Sequence, residues 1–371
     1  MRRGTVGRAS ARPAAAVIVL VAAMLGGGTL GGGPFEGAPA AQAAAPNLGK
    51  VALIDAGVGL LYVPANIAKA KGYFQQQGLD VEISVASTGA GTDATAAVIG
   101  GSAQFTDTGM AQITDAVDQG SPLVAIAGSM TEYGVSIVIT KDAAAKAGVT
   151  AASPLEARLK ALKGLRIGIS APGSATDQFM RYVAKQAGLD ADHDMTLVAL
   201  GSVGATRAAF AQRRIDGFVR SSPDPEAAAI QDNGMILLSQ TGVSGLPSMR
   251  GFMMSVYATN KTLLTQHPEL VRAFMVGLTQ GEKFLAARSD ESSQIYRTLR
   301  GGSIPTDIWD AAWKNNYPAM AKDPVIGRHN VDVTFSILQQ IEGKAPAATY
   351  DQVVNNSFAQ QADALLKNWT P

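Results

Sequence analysis

The sequence predicts a layered α/β protein whose parallel sheets are divided between two halves of like construction, and three observations lead there. Short β-rich runs alternate with helix-forming stretches from Lys50 to Thr259, the pattern of parallel strands joined by crossover helices. Aromatic residues are only 6% of the chain while Ala and Gly abound, and small residues let helices lie close on sheets. A stretch in the middle also echoes an earlier one. Val85, Ala86, Gly91, Ala96 and Phe105 match Val198, Ala199, Gly204, Ala209 and Phe218 at a constant offset of 113. Chance likeness between two β-α-β units gives the same echo, so two like halves remain an expectation.

The elements follow in order. Strands are expected at Lys50–Ile54, Asp80–Val85, Gln104–Thr106, Leu123–Gly128, Val135–Thr140, Arg166–Ile169, Thr196–Leu200, Gly217–Val219, Met235–Leu238 and Phe252–Thr259. Helices are expected at Val63–Lys71, Ala94–Ile99, Ala111–Gln119, Asp177–Ala187, Ala205–Gln212 and Pro225–Gln231, with Pro64 in a first turn where its missing N–H costs nothing. Beyond Asn260 the chain reads as mostly helical. The strands before Ala143 and those near Gln240–Phe252 are the expected crossings between halves. That divides the chain into a lobe A of residues 48–135 plus 250–371 and a lobe B of 136–249.

Residues 1–43 read as a cleaved secretory signal and are set aside. Arg2, Arg3, Arg8 and Arg12 precede an apolar run from Ala14 to Leu25, and Ala41-Gln42-Ala43 has the small residues a signal peptidase needs. The run is twelve residues, too short for a spanning helix of about 20. The leader's +3 subtracted from the chain's +1 leaves the remainder at −2. No basic field remains to hold a nucleic acid.

The chain has no cysteine, which excludes disulfides, thiol catalysis and thiolate metal sites. It also excludes a lipid-modified cysteine as tether, so a periplasmic location behind a second membrane is expected.

Open α/β sheets bind ligands at the carboxyl ends of their strands, where loops and helix N-termini aim N–H groups into a crevice. Gly, Ser and Thr recur there: Ser87–Thr92, Thr106–Gly109, Ala171–Thr176, Leu200–Thr206 and Arg220–Pro223. Helix capping explains any one such segment equally well; five in two halves point to a shared crevice. None is a phosphate-binding Walker loop or a dinucleotide fingerprint.

Arg220 ends an apolar strand and is the sharpest single residue. It either grips an anionic ligand with its planar fork or pairs structurally with Asp216, Asp224 or Glu226. Tyr62, Met130, Tyr133 and Met249 are available as apolar walls, although core packing explains a Met equally well. Enzymatic readings are poor. The three His residues, His193, His267 and His329, are scattered, no metal-ligand spacing occurs, and Ser174 lacks the flanking Gly of a nucleophile elbow. No catalytic residue, metal or cofactor is expected.

Leu61-Tyr62-Val63-Pro64-Ala65, running to Gly72-Tyr73-Phe74-Gln75-Gln76-Gln77-Gly78-Leu79-Asp80-Val81-Glu82-Ile83, is the most specific stretch. It resembles the alkanesulfonate, taurine and nitrate binding proteins of ABC importers and the related thiamine-pyrimidine precursor group. Gly72 is read as ending the helix, Tyr73 and Phe74 as covering the sheet edge, and Gly78 as turning into the strand. Ala103-Gln104-Phe105, Leu162 to Ile169 with Pro172-Gly173-Ser174, Ile215-Asp216-Gly217-Phe218 and His267 to Phe274 extend the resemblance over most of residues 50–290. Beyond Arg300 it fades, and the remaining helices are read as packing.

The resemblance implies a two-lobed type II periplasmic-binding fold, hinged on two crossover strands and carrying extra C-terminal helices. A small ligand would be caught between the lobes and delivered to an ABC permease by a monomeric protein. By position, the family's binding loops fall on Asp55, Leu61 and Tyr62; on Thr88, Gly89 and Thr92; on Thr108 and Gly109; on Ser174 and Thr176; and on Ser202, Arg220 and Ser222. Sulfonate, nitrate, carboxylate and pyrimidine all suit such loops. The alternatives are a sensor or chemoreceptor input and a pyrimidine-precursor synthase, although the cysteine-rich signature of the latter is missing.

Overall fold

Three segments, residues 47–86, 91–241 and 245–371, are described by the computed structural model. The expected leader and the predicted site residues Thr88 and Gly89 lie outside the described residues. Among those described, no helix is long and apolar enough to cross a membrane.

The chain runs β1 (Gly49–Asp55), α1 (Val63–Ala70), α2 (Tyr73–Gln76), β2 (Leu79–Val85), α3 (Gly91–Ile99), β3 (Phe105–Gly109), α4 (Met110–Asp118) and β4 (Leu123–Met130). It continues through β5 (Val135–Thr140), α5 (Lys141–Lys146), α6 (Leu155–Lys160), β6 (Arg166–Ile169), α7 (Ala175–Gln186), β7 (Thr196–Ala199), α8 (Val203–Ala211), β8 (Gly217–Ser221), α9 (Asp224–Gln231) and β9 (Gly234–Ser239). Next come β10 (Ser255–Asn260), α10 (Lys261–Gln266), α11 (Pro268–Ala287) and α12 (Ser289–Tyr296). A π-helical turn (Arg297–Gly301) then leads to α13 (Thr306–Asn316), α14 (Arg328–Glu342), α15 (Tyr350–Val353) and α16 (Ser357–Leu365).

Two five-stranded sheets result, ordered β2-β1-β3-β10-β4 and β7-β6-β8-β5-β9. In each, the fourth strand is antiparallel to both neighbours, and the recorded pairs among the first three strands are parallel. The two orders therefore correspond position by position. The echoed segments are β2–α3–β3 and β7–α8–β8, which occupy equivalent places.

This topology fixes where the rims lie. β4 leaves the carboxyl edge of the first sheet, and Thr131–Gly134 leads straight into β5. Because β5 is antiparallel in the second sheet, it starts at that sheet's carboxyl edge. β9 returns to the antiparallel β10 by the same logic. A four-residue link spans at most about 14 Å, so the two carboxyl rims face one another.

The first core lies under α1, α2 and α11, where Phe74 and Phe105 stack on Phe274 with ring centroids 5.2 and 3.9 Å away. Tyr73 and Phe74, expected at the sheet edge, instead form α2 and pack beneath α11. A second core gathers around β5, β6, β8 and α7. Helix α14 touches both halves: Ile337 joins the second core, while Val331 packs with Ile113 and Val256 on the first sheet.

Strands β3, β4 and β8 each run two or three residues past their expected ends. The additions include Asp107, Thr108, Ser129 and Arg220, polar residues that mask a strand in the sequence and are held by side-chain bonds in the fold.

Candidate functional site

On the first rim, Asp55 closes β1 and is 1% exposed. With Val51 and Leu53 it turns toward the face covered by α1, where its Oδ2 accepts from Asn66 Nδ2 (3.2 Å) and Arg300 Nη2 (3.0 Å). Its Oδ1 is buried without a partner among the described residues. Burial pushes its pKa up to about 7, against the pull of the Asn66 hydrogen bond and the Arg300 charge. Asp107, on β3, is fully buried and accepts from Ser129 Oγ at 2.6 Å. Burial first, and the nearby Asp55 second, hold it far above the ordinary carboxylate range. Sequence reasoning passed over Asp107 within its Thr-Asp-Thr-Gly segment, and nothing local marks Arg300, which comes from the π-helical turn.

Leu61 and Tyr62 are nearly buried. Leu61 lies against Gly134 of the interlobe link, where a Cβ would meet its Cδ2, and the Tyr62 ring covers Gly57. Thr92 is exposed in the first turn of α3. Thr108 is buried and donates to Gly91 O (3.4 Å), and Gly109 precedes α4 with the Gln112 side chain folded over it.

On the second rim, Ser174 caps α7 and Ser202 caps α8, accepting from Asp177 N and Ala205 N. Thr176 Oγ1 accepts from Ser170 N at 2.8 Å. The Ser174 and Ser202 hydroxyls thus cap their helices, while Thr176 braces the loop before α7. Ser222 is buried; its Oγ donates to Glu226 Oε1 (2.8 Å) and accepts from Asn316 Nδ2 (2.6 Å). Gly59 of the first rim approaches here, its Cβ position lying 3.1 Å from Ser222 O.

Arg220 ties this rim together. Nη1 donates to Ser170 Oγ (2.9 Å), and Nη2 donates to Gly201 O (2.9 Å) and Thr206 Oγ1 (2.7 Å). Nε is buried with no partner. All three acceptors are neutral. Asp216 is taken by Arg166 at 2.9 Å, and Glu226 by Ser222 and Asn315. Asp224 bears on Arg220 only through space; burial pushes its own pKa up to about 6, against the pull of Arg207 and Arg220. Arg220 thus carries a cation between the N-terminal ends of α7 and α8, with no ion-pair partner among the described residues.

Two surface cavities, of about 300 and 350 Å³, are also present: one beside Arg181 and Asp192 that reaches Pro172 and Asp177 of the second rim, the other beside Leu264 and Phe358. In the first, Arg181 is already bonded to Asp177 and Asp192. Among the described residues no acidic or histidine cluster has metal-binding geometry.

Two sheets of equivalent order, joined rim to rim by two crossings, define a two-lobed periplasmic-binding-protein fold. The chain belongs to the NMT1/THI5-like family, whose model matches residues 62–292. A Haemophilus influenzae protein named for thiamine biosynthesis is 24% identical over 264 residues, which are 70% of this chain and 76% of that one. The alkanesulfonate-binding protein SsuA from Xanthomonas axonopodis, solved with MOPS, superposes with a TM-score of 0.60 at 17% identity, covering 86% of this chain and 99% of its own. The nitrate-binding protein NrtA from Synechocystis gives 0.62 at 18% identity, covering 87% and 90%. The likeness to these binding proteins drawn from the Gly-Tyr-Phe and Gly-Leu-Asp-Val stretch is borne out.

Proposed function

We propose that this protein is the exported solute-binding component of an ABC importer, acting outside the inner membrane. It captures a small anionic or polar organic molecule between two lobes and hands it to a permease. We take lobe A as residues 48–135 plus 250–371 and lobe B as 136–249, with α14 straddling both.

The observation that carries the reading is Arg220. A partly buried guanidinium bonded, among the described residues, only to neutral oxygens, beside two helix N-termini, is a ready counter-charge for an anion. Ligands of the alkanesulfonate and nitrate neighbours fit that chemistry. The relative named for thiamine biosynthesis favours one further class, a pyrimidine, for the same crevice.

A thermal-shift panel of nitrate, ethanesulfonate, a short carboxylate and an aminopyrimidine tests the proposal. A true ligand at 100 times its Kd adds about 2.7 kcal/mol to stability. Arg220→Ala should lose the response to an anion. It should also lower the unliganded melt, because three loop bonds go with it. Arg220→Lys keeps the charge but not the fork, and should retain part of the response. A panel that leaves the wild type unmoved, or an anion shift that survives Arg220→Ala, defeats the assignment. Loss of uptake on gene deletion separates import from sensing.

A further inference from the structure

Helix α13 belongs to the first half by its packing. Trp309, Ala312 and Trp313 sit in the first core. The segment after it is stitched to β4 and its link, with Ala321 N donating to Ser129 O (2.8 Å) and Thr131 N to Ala319 O (2.8 Å). Its last two residues nevertheless reach the second half. Asn316 Nδ2 donates to Ser222 Oγ (2.6 Å) and to Ala312 O of its own helix (2.8 Å). Asn315 Nδ2 donates to Glu226 Oε1 (3.0 Å), and its Oδ1 accepts from Ser239 Oγ (3.1 Å).

This contact is buried and polar. Asn316, Ser222 and Glu226 are 1, 4 and 3% exposed, and Glu226 Oε2 has no partner among the described residues. Buried polar groups are costly when unpaired, so a network of this kind fixes one register of the elements it joins. Here the joined element is the turn from Ser222 to Glu226, which begins two residues after Arg220. Both asparagines lie past residue 292, where the family match ends.

We propose that Asn315 and Asn316 are positioning residues for anion capture: from a helix anchored on the first sheet they hold the Ser222–Glu226 turn, and through it the pose of Arg220. Ligand affinity then depends on two side chains that do not touch the ligand. The inference rests on the solute-binding reading, and two measurements keep the two apart.

The first needs no ligand. Hydrogen exchange of Asn316→Ala should speed about tenfold at the amides of Ser222, Asp224, Glu226, Ala227 and Ala228 and stay unchanged in α7. Unaltered protection of the turn overturns the inference. Asn315→Ala, which leaves the Ser222 bond in place, repeats the measurement if Asn316→Ala does not fold.

The second uses nitrate or ethanesulfonate, whichever stabilises the wild type. Asn316→Ala should weaken its binding about fivefold or more. Ser222→Ala removes the other end of the bond and should weaken binding to a similar extent, and the double variant should be no worse than either single. Additive losses, or an unchanged Kd, overturn the positioning role. A wild type that binds neither probe defeats the anion-binding reading, while the exchange measurement still decides what the asparagines do.

Discussion

Asp55 shows how a single buried group makes stability depend on pH. Its folded pKa of about 7 lies above the ordinary aspartate value of about 3.9. Between those values the folded protein keeps a proton that the unfolded chain has shed. This group therefore favours folding fully below about pH 4, and the benefit drains away as pH rises through 7. Asp107, also held up by burial and by the Asp55 charge, titrates with it as a pair. Asp55→Asn is neutral at every pH, so its melting temperature should fall less than the wild type's between pH 5 and 7.5. Parallel curves would place the pH dependence elsewhere. Arg220 was legible as a residue of interest because it ends an apolar strand. Its actual partners, Ser170, Gly201 and Thr206, were not, since they come from two loops and the first turn of α8, 14 to 50 residues away.

Among elements, the crossing of α1 and α11 leaves no room for larger side chains. A Cβ on Gly281 would sit 2.7 Å from Pro64 O and 2.8 Å from Ala68 Cβ, and one on Gly277 would sit 2.5 Å from the Phe74 ring. Four residues apart, the two glycines share one face of α11 and let the helices meet closely. Alanine favours a helix interior by about 1 kcal/mol over glycine. Overpacking against backbone costs about 1–3 kcal/mol, so Gly281→Ala should destabilise. Urea denaturation decides it, and a stabilised variant would mean the helices part freely. The polar ends of β3 and β8 mark the limit of pattern reading. Asp107 and Arg220 look like loop residues by composition, and only cross-strand and interloop bonding makes them strand.

For the whole molecule, the equivalent orders of the two sheets and their antiparallel fourth strands turn both carboxyl rims inward. A ligand gripping only one rim changes nothing about closure. One that contacts both shifts the population toward the closed form. Small-angle scattering should therefore show a smaller radius of gyration with the stabilising ligand, and no contraction for Arg220→Ala at the same concentration. Contraction that persists without the Arg220 side chain would point to a different grip. The C-terminal helices, read from sequence as packing, include α13, whose asparagines hold the second rim, and α14, which joins both cores.

Local information determined the layered α/β class, the order of the strands and of the six helices placed before Asn260, the family resemblance and the recurrence of hydroxyl-rich loops at strand ends. Each of these rests on periodicity, turn residues or caps acting over a few neighbours. Tertiary structure alone decided which hydroxyls cap helices, that Asp55 lies under α1 in the grip of Arg300, that Arg220 has no acidic partner among the described residues, and that α13 crosses to the second half. Those outcomes depend on burial and on partners far apart in the chain, and a hydrogen bond across 245 residues leaves no trace in the sequence around either end.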